Sequence, residues 1–268
     1  MSGLGRVRQW VFIVLPFLLL FSSGSAIAAP LGGEAEVYVA AENFEWREFD
    51  DAGNRLLRES GPRYGVGFTY YHEFLNQATV KPRVELFGGT VDYDGATQAG
   101  VPVKTRTDYF GVKIEGDAGY TFRPSQGVSI EPFGGLGLRG WSRNIKNGTA
   151  SNGTTAYGYR EDWSTFYLRL GVRGSAAMSA GGKLFAETGV KFPLYNENYV
   201  SQLGITLNPG NEPSLFAEAG IEIHFFKISG YYDSMRFSKS DVVYSGASGY
   251  FQPKSHADMV GVRIGYSF

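Results

Sequence analysis

The side chains with the clearest chemical potential are two aspartates spaced two residues apart, in the stretch Asp92-Tyr93-Asp94. Two carboxylates this close can help to activate a water, or can hold a hard cation through their oxygens. Activation also needs a group that takes the proton from the water, usually a histidine. A histidine and an aspartate share this spacing only far along the chain, in His256-Ala257-Asp258. We therefore expect Asp92 and Asp94 to be loop carboxylates or a weak cation site.

Other reactive residue types give no second site. His72, His224 and His256 fall on different predicted strands and lack the spacing of zinc ligands. The absence of cysteine excludes disulfides, thiolate catalysis, cysteine-ligated zinc and a lipidated cysteine. No phosphate-binding glycine loop or dinucleotide motif is present, and a net charge of -1 argues against nucleic-acid binding. We expect no cofactor, no metal and no nucleic-acid partner.

The beginning of the chain has the layout of a secretory signal peptide. A basic start that includes Arg8 precedes an apolar run, Trp10–Phe21, and small residues follow up to Ala28. The run is shorter than the ~20 apolar residues of a membrane helix. We predict that residues 1–28 are a signal peptide and that residues 29–268 form one domain.

Alternation of apolar and polar residues dominates the rest of the chain. In the clearest stretch, apolar residues at odd positions from Leu215 to Ile223 alternate with residues that include Glu218 and Glu222. Such alternation indicates a strand with one apolar face, and its repetition between turn signals indicates one large antiparallel sheet. We predict about ten strands, at residues 34–49, 62–74, 81–93, 105–122, 128–142, 158–175, 183–196, 212–225, 228–239 and 255–268.

The predicted connections alternate between short and long. Short connections fall at residues 75–80, 123–127, 176–182 and 225–227. Long ones fall at residues 50–61, 94–104, 144–157, 199–211 and 240–254. Short turns at one end and long loops at the other are typical of a membrane-spanning barrel, with the turns in the periplasm and the loops outside the cell.

The polar face of the strands favours a membrane-spanning barrel over a soluble one. It is rich in glycine and in charges of both signs, which suits a narrow interior where buried charges need partners. We predict an all-β, transmembrane, antiparallel up-and-down barrel. Its lumen should hold a polar network of Glu36, Glu85, Lys113, Glu115, Asp117, Glu131, Arg139, Arg169, Arg173, Glu187, Lys191, Glu218, Glu222 and Arg263.

The end of the chain carries a resemblance to a known group of proteins. Val262, Ile264, Tyr266 and the terminal Phe268 alternate with other residues, and this ending resembles the C-terminal signal of bacterial outer-membrane β-barrels. Arg263 departs from the commonest form, which has glycine at that position. The resemblance implies that the last strand closes the barrel and is bound by the barrel assembly machinery. It also implies a place in the bacterial outer membrane, with membrane lipid and lipopolysaccharide as partners.

Barrels of this size include the omptin proteases, whose outer rim carries an Asp-x-Asp pair and an Asp-x-His pair. Asp92 and Asp94 are similar to the first pair in spacing and place. The second pair should lie in the fourth long loop, but residues 200–213, "VSQLGITLNPGNEP", contain neither aspartate nor histidine. The resemblance therefore extends to size and not to the complete omptin motifs.

Strand number and charge pattern lead to an expectation about function. A barrel of about eight strands is just filled by side chains, and inward charges of both signs should pair across a lumen only slightly wider. We expect a filled polar lumen and a non-enzymatic structural, adhesive or surface-binding role through the loops. The alternative is a narrow channel for small solutes, and the third candidate is an omptin-like or lipid-modifying surface hydrolase.

Overall fold

A computed structural model describes residues 33–97, 99–179 and 181–268. The predicted signal peptide, residues 1–28, lies outside the described residues. No helix in the described part of the chain is long and apolar enough to cross a membrane. The strands are β1 (Glu34–Phe49), β2 (Arg55–Glu73), β3 (Ala78–Ala96), β4 (Pro102–Tyr120), β5 (Phe122–Ser125), β6 (Val128–Ile145), β7 (Gly148–Ala150), β8 (Thr155–Ala156), β9 (Arg160–Ala177), β10 (Gly182–Val200), β11 (Ile205–Leu207), β12 (Gly210–Glu212), β13 (Ser214–Ile223), β14 (Phe226–Ser238), β15 (Val243–Ser245), β16 (Ser248–Tyr250) and β17 (Lys254–Ser267).

Ten of these strands form a closed antiparallel barrel, in the order β1, β2, β3, β4, β6, β9, β10, β13, β14 and β17. The barrel closes because β17 pairs with β1 along its length, from Glu36 opposite Ser267 to Phe49 opposite Lys254. Closure satisfies the backbone groups that an edge strand would leave free. The predicted all-β antiparallel up-and-down barrel is confirmed.

The predicted bounds of two long loops are wrong, because both connections are shorter than predicted. Strand β2 already begins at Arg55, inside the loop predicted for residues 50–61. Strands β3 and β4 likewise extend into the loop predicted for residues 94–104. Charged residues on the outer face of these extensions suggested loops, yet the inner face continues to bury side chains such as Leu57 and Glu59. The extensions are paired strands that project beyond the apolar part of the wall.

The connections give the barrel two different ends. At one end, called the turn end below, Glu34 and Phe268 lie beside the short turns that follow Glu73, Ala177 and Ile223. At the other end, called the loop end, longer connections carry the short strands β7, β8, β11, β12, β15 and β16. The barrel thus combines plain turns at one end with structured loops at the other.

Side chains alternate between an apolar outer wall and a polar lumen. Phe110 and Leu170 on the outer wall are 66% and 47% exposed, whereas Lys113 and Arg169 in the lumen are each only 3% exposed. An apolar outside and a polar inside form the arrangement of a barrel that spans a membrane. The apolar zone of the outer wall is called the apolar belt below.

Toward the loop end, the apolar belt stops at a row of charged residues on the outer wall. Arg58 pairs with Glu45 at 2.8 Å, Arg47 with Asp258 at 2.8 Å, and Arg236 with Asp258 at 2.5 Å. These residues come from β2, β1, β17 and β14, so the row crosses four adjacent strands. Parts of the strands beyond this row lie outside the apolar belt.

Aromatic rings in the lumen lie over glycines of neighbouring strands. Tyr167 of β9 faces Gly137 of β6, and Tyr38 of β1 faces Gly67 of β2. A Cβ at either glycine would overlap the tyrosine ring. The absence of a side chain therefore makes room for a ring, which allows a narrow lumen to be filled without gaps.

Substitutions on the two faces should have different consequences. Leu168→Arg and Ile221→Arg each place a charge in the apolar belt, at a cost of about 2–4 kcal/mol near the centre of a bilayer. We expect both variants to fail to insert. Arg169→Leu removes a lumen partner, so it should insert but lose resistance to heat. Membrane fractionation and the temperature dependence of gel migration measure these effects, and equal behaviour of the three variants would contradict the assignment of faces.

Candidate functional site

Paired charges fill the middle of the lumen. Arg263 of β17 binds Glu218 of β13 at 2.6 Å and Glu85 of β3 at 3.3 Å. Lys113 of β4 also pairs with Glu85, at 3.3 Å, and the Tyr38 hydroxyl donates a hydrogen bond to it at 2.7 Å. Lys113 and Glu85 lie opposite each other on neighbouring strands, whereas the contacts of Arg263 and Tyr38 connect strands that are not neighbours in the sheet.

A second group of pairs lies beside the first. Arg169 binds Glu115 at 2.6 Å and Glu187 at 3.0 Å. Asp233 of β14 accepts from Arg139 of β6 at 3.2 Å. Charges of opposite sign thus meet throughout the lumen, and no ring of a single sign is formed by these residues.

Every side chain predicted for the polar network points into the lumen or its turn-end mouth and takes part in an ion pair. Glu85, Lys113, Glu115, Arg139, Arg169, Lys191, Glu218 and Arg263 belong to the middle, where Lys191 pairs with Asp233. Nearer the turn end are Glu36, Asp117, Glu131, Arg173, Glu187 and Glu222.

The turn end contains a polar cavity of about 380 Å³. In its wall, Glu36 pairs with Lys227 at 2.9 Å and Glu222 pairs with Lys183 at 3.0 Å. Arg173 also lines the cavity. The charges here are paired as they are deeper in the lumen, so the cavity is polar without a strong excess of either sign.

Toward the loop end, the lumen is closed by an aromatic cluster that we call the stopper: Trp46 of β1, Trp141 of β6, Trp163 of β9 and Phe237 of β14. Trp141 and Trp163 stack with ring centres 5.4 Å apart, and Trp46 meets Trp163 edge-on at 5.1 Å. Phe237 lies 5.2 Å from Trp163. Rings from four strands therefore meet across the lumen.

A buried arginine surrounded by glutamates lies beside the stopper. Arg143 of β6 is wholly buried and binds Glu48 at 3.2 Å, Glu59 at 2.9 Å and Glu161 at 2.9 Å. The three carboxylates come from β1, β2 and β9. These four residues, the Arg143 cluster, join strands on both sides of the barrel.

Hydrogen bonds connect the Arg143 cluster to the stopper and to a loop. The Trp46 indole N–H donates to Glu48 at 2.9 Å, and the Trp163 indole N–H donates to Glu161 at 2.8 Å. Gln252, in the connection between β16 and β17, donates to Glu48 at 3.2 Å. The stopper, the cluster and this loop therefore form one connected unit.

The loops add a second apolar layer above this unit. Val200 of β10 packs with Ile205 and Leu207 of β11, and Tyr159 and Tyr250 pack against them. A water-filled channel would leave its lining side chains exposed, yet Trp46, Trp163 and Phe237 are almost wholly buried, as is Arg143. Side chains fill the lumen at the level of the stopper.

Asp92 and Asp94 point away from the lumen. They lie on the outer wall of β3, opposite Arg106 and Lys104 of β4, in a groove of about 640 Å³ that also contains basic residues from β2 and from the connection after β6. The prediction of loop carboxylates is wrong because β3 continues past them. Neighbouring cations also make these carboxylates poorly suited to holding a metal ion.

The histidines lie at separate places. His72 is on the outer wall near the turn end, His224 is in the turn between β13 and β14, and His256 is on the outer wall near the loop end, with its ring 5.0 Å from that of Phe49. Within the described ranges, no group of three or more histidine, aspartate or glutamate side chains could hold a metal ion. The strands β1 and β2 separate His256 from Asp92.

The sequence analysis missed the Arg143 cluster and the stopper. Glu59 falls in a segment that the sequence suggested was a loop, and Arg143 falls just beyond the predicted end of its strand. The alternation of the strands was the available signal. Glu59 is four residues from Arg63, and Arg143 is four residues from Arg139, so each pair lies on one face of its strand. Both of these arginines point into the lumen.

Removal of the Arg143 side chain should strongly destabilise the barrel. Arg143→Met leaves three buried carboxyl groups without their cation, and the loss of one partner of a buried pair costs about 3–5 kcal/mol. Arg160→Met is the matched control, because Arg160 pairs with Asp162 on the surface, where an ion pair contributes only about 0–1 kcal/mol. Urea unfolding of the refolded protein, followed by tryptophan fluorescence, measures the stability of both variants. Similar midpoints for the two variants would contradict the structural role of Arg143.

The comparison with solved structures bears on the fold. No protein-family model matches the sequence, and no curated protein matches it. Among solved structures, the outer membrane protease OmpT from Escherichia coli superposes with a TM-score of 0.57 at 10% identity, covering 92% of this chain and 100% of that one. The translocator domain of the autotransporter NalP from Neisseria meningitidis gives a TM-score of 0.42 at 14% identity, covering 98% and 97% of the two chains.

At such low identity, the likeness to OmpT concerns the fold and gives no evidence for an activity of this chain. The closed barrel, its polar lumen and its apolar belt agree with that likeness. The chain has the fold of the bacterial outer-membrane β-barrels.

Proposed function

We propose that this protein resides in the bacterial outer membrane as a barrel with a closed lumen, and that its loop end faces outward in a non-enzymatic structural, adhesive or surface-binding role. The observation that carries the proposal is the stopper, which fills the lumen beside the buried Arg143. Paired charges below the stopper also differ from the rings of one sign that selective pores favour. With the lumen filled, the exposed surfaces of the barrel are left to carry the function.

Exposed aromatic residues on the loops support a binding role. Tyr157 and Tyr244 are 82% and 74% exposed, which is more than is usual for tyrosine side chains in folded proteins. Phe251 is also exposed and lies beneath the Lys239 ammonium group, 4.4 Å from the ring centre. Large exposed aromatic side chains often anchor a partner, because they bury much area with few rotatable bonds.

The outer-wall groove supports outer-membrane lipid as a partner. Arg58, Lys104, Arg106 and Lys146 line the groove, and the exposed Phe110 lies on the apolar belt. Lipopolysaccharide combines phosphate groups with acyl chains. Its phosphates would bind the basic residues through charge-assisted hydrogen bonds while its chains pack on the belt.

The last strand supports the assembly machinery as a second partner. Val262, Ile264, Tyr266 and Phe268 all point outward from β17 and are about half exposed. In the folded barrel this strand is already paired with β1 and β14. Recognition would therefore take place before closure, while the edge of β17 is free.

A narrow channel for small solutes is the second candidate. The turn-end cavity favours it, because this cavity already reaches Arg173 and Glu187. Passage would require the stopper to move. A surface hydrolase lacks comparable support, since Asp92 and Asp94 are on the outer wall among basic residues.

Purified protein should show little or no steady conductance in planar bilayers, because side chains fill the lumen at the stopper. A porin added to the same bilayers controls for insertion and detection. Reproducible single-channel steps from the unmodified protein, altered in size by Glu218→Gln or Arg169→Gln, would overturn the closed lumen and favour the channel.

Loss of the loop aromatics should weaken adhesion. We expect cells that display the double variant Tyr157→Ser, Tyr244→Ser to adhere about thirtyfold less than cells with the unmodified protein, on any surface that the unmodified protein binds. The reason is that two anchors of about 1 kcal/mol each would be lost. The assay uses a panel of immobilised matrix proteins and glycans. Leu75→Ser is the matched control, because Leu75 is fully exposed at the turn end.

Labelling of single cysteines checks display and orientation in the same cells. The chain has no cysteine of its own, so a membrane-impermeant maleimide should label intact cells at Asn152→Cys and not at Ser125→Cys. The reverse labelling pattern would show that the turn end, and not the loop end, faces outward. Equal adhesion of the unmodified protein and the double variant on every surface, with display intact, would overturn the binding role.

A further inference from the structure

The Arg143 cluster contains more negative than positive charge. One guanidinium faces the carboxyl groups of Glu48, Glu59 and Glu161, and none of the four side chains is more than 8% exposed. If all three carboxyl groups were ionised, two negative charges would remain uncompensated in a space with almost no water. Buried charge of this kind is avoided by taking up a proton.

The remaining groups around the cluster offer no compensating cation. Thr107 and Tyr109 of β4 face it, Tyr93 of β3 lies near it, and Gln252 reaches it from the loop before β17. Tyr159, just before β9, also interacts with the cluster, and Trp46 of β1, Trp163 of β9 and Phe237 of β14 lie beside it. All of these are neutral at physiological pH.

The nearest lumen cations along the barrel are already bound elsewhere. Arg63 pairs with Glu42 at 2.5 Å, and Arg139 pairs with Asp233 at 3.2 Å. Neither forms an ion pair with a glutamate of the Arg143 cluster among the contacts of the described residues. The excess negative charge must therefore be reduced within the cluster.

The pattern of hydrogen bonds shows which carboxyl group can carry a proton. Glu59 accepts at both oxygens, from Thr107, from Tyr109 and from Arg143, so neither of its oxygens is left for a proton. Glu48 accepts all three of its hydrogen bonds at Oε1, from Trp46, Arg143 and Gln252, which leaves Oε2 for a proton.

Glu161 is the competing candidate, since it also accepts at one oxygen only, Oε2. Its distance to Arg143 is 2.9 Å, against 3.2 Å for Glu48, so the guanidinium stabilises the charge of Glu161 better. The geometry favours ionised Glu59 and Glu161 with a neutral Glu48.

We propose that Glu48 carries a proton at neutral pH and that the neutral carboxyl group, through its Oε1, latches the stopper to the loop that contains Gln252. Loss of the proton places a further negative charge between Trp46 and Gln252, in contact with the existing excess. Because uncompensated buried charge is costly, water should then enter between the stopper and the loop to solvate it. This latch is independent of any ligand of the loop end and goes beyond the function proposed above.

The direction of the pH dependence follows from the environment of Glu48, which lies beyond the apolar belt. Burial raises the pKa of the Glu48 carboxyl group. The Arg143 charge and the hydrogen bond from Trp46 oppose this rise, whereas the charges of Glu161 and Glu59 add to it. As the pH rises, a glutamate in the unfolded chain therefore loses its proton first. The stabilisation from this group is complete below the pKa of the unfolded glutamate and is lost as the pH rises through the raised pKa of the folded state.

Glu48→Gln tests the latch because glutamine imitates the protonated carboxyl group. Its Oε1 can still accept from Trp46, Arg143 and Gln252, while its amide replaces the protonated oxygen. Glu222→Gln is the matched control, since Glu222 lies at the turn end, away from the stopper. Infrared difference spectra report protonated carboxyl groups, and near-ultraviolet circular dichroism reports the stopper, which contains every described tryptophan.

In the unmodified protein and in Glu222→Gln, we expect a protonated-carboxyl infrared band at neutral pH that disappears at alkaline pH together with part of the tryptophan circular dichroism. In Glu48→Gln, both pH-dependent changes should be lost while the neutral-pH circular dichroism is kept. A Glu48→Gln spectrum with the same band and the same pH dependence would overturn the proposal. So would loss of the band in Glu161→Gln with its retention in Glu48→Gln, which would place the proton on Glu161.

Discussion

The narrow lumen is the constraint on which the rest of the structure depends. A barrel of ten strands leaves little space for water, so each charged side chain that points inward must find its partner on another strand. Glu85 illustrates the result, because Lys113, Arg263 and Tyr38 reach it from three different strands. Each such contact fixes the distance between two parts of the wall. The polar network therefore braces a cross-section that strand number and register set, and it also neutralises the charges inside.

The lumen is filled in two different ways along its length. Within the apolar belt, long charged side chains pair with one another and rings lie over glycines. Beyond the belt, the indoles of Trp46, Trp141 and Trp163 cover the cross-section with few residues, because each ring is large and rigid. Indole N–H groups then bind Glu48 and Glu161, so the aromatic closure and the Arg143 cluster depend on each other. A substitution in the stopper should therefore alter the packing of the Arg143 cluster, and a substitution in the cluster should alter the stopper.

Because the lumen is filled, the accessible surfaces of the barrel are its outer wall and its two ends. The outer wall has an apolar belt, a row of ion pairs above it and a basic groove that contains Asp92 and Asp94. The loop end exposes aromatic side chains, whereas the residues that could have supported hydrolysis are on separate strands. Similarity to OmpT accordingly concerns the path of the chain.

The sequence by itself determined the fold class and the face of almost every strand residue. Alternation is a local property of the pleated strand, so Leu168 and Arg169 are assigned to opposite faces without knowledge of their neighbours. Strand ends were less certain, because an outward charge such as Arg58 suggests a loop unless its height above the apolar belt is known. Only the tertiary structure decided which charges meet. Lys81 and Glu187 pair although they are 106 residues apart, and the stopper indoles converge from three strands, because register and barrel closure set which residues share a height, and neither is a local property of the sequence.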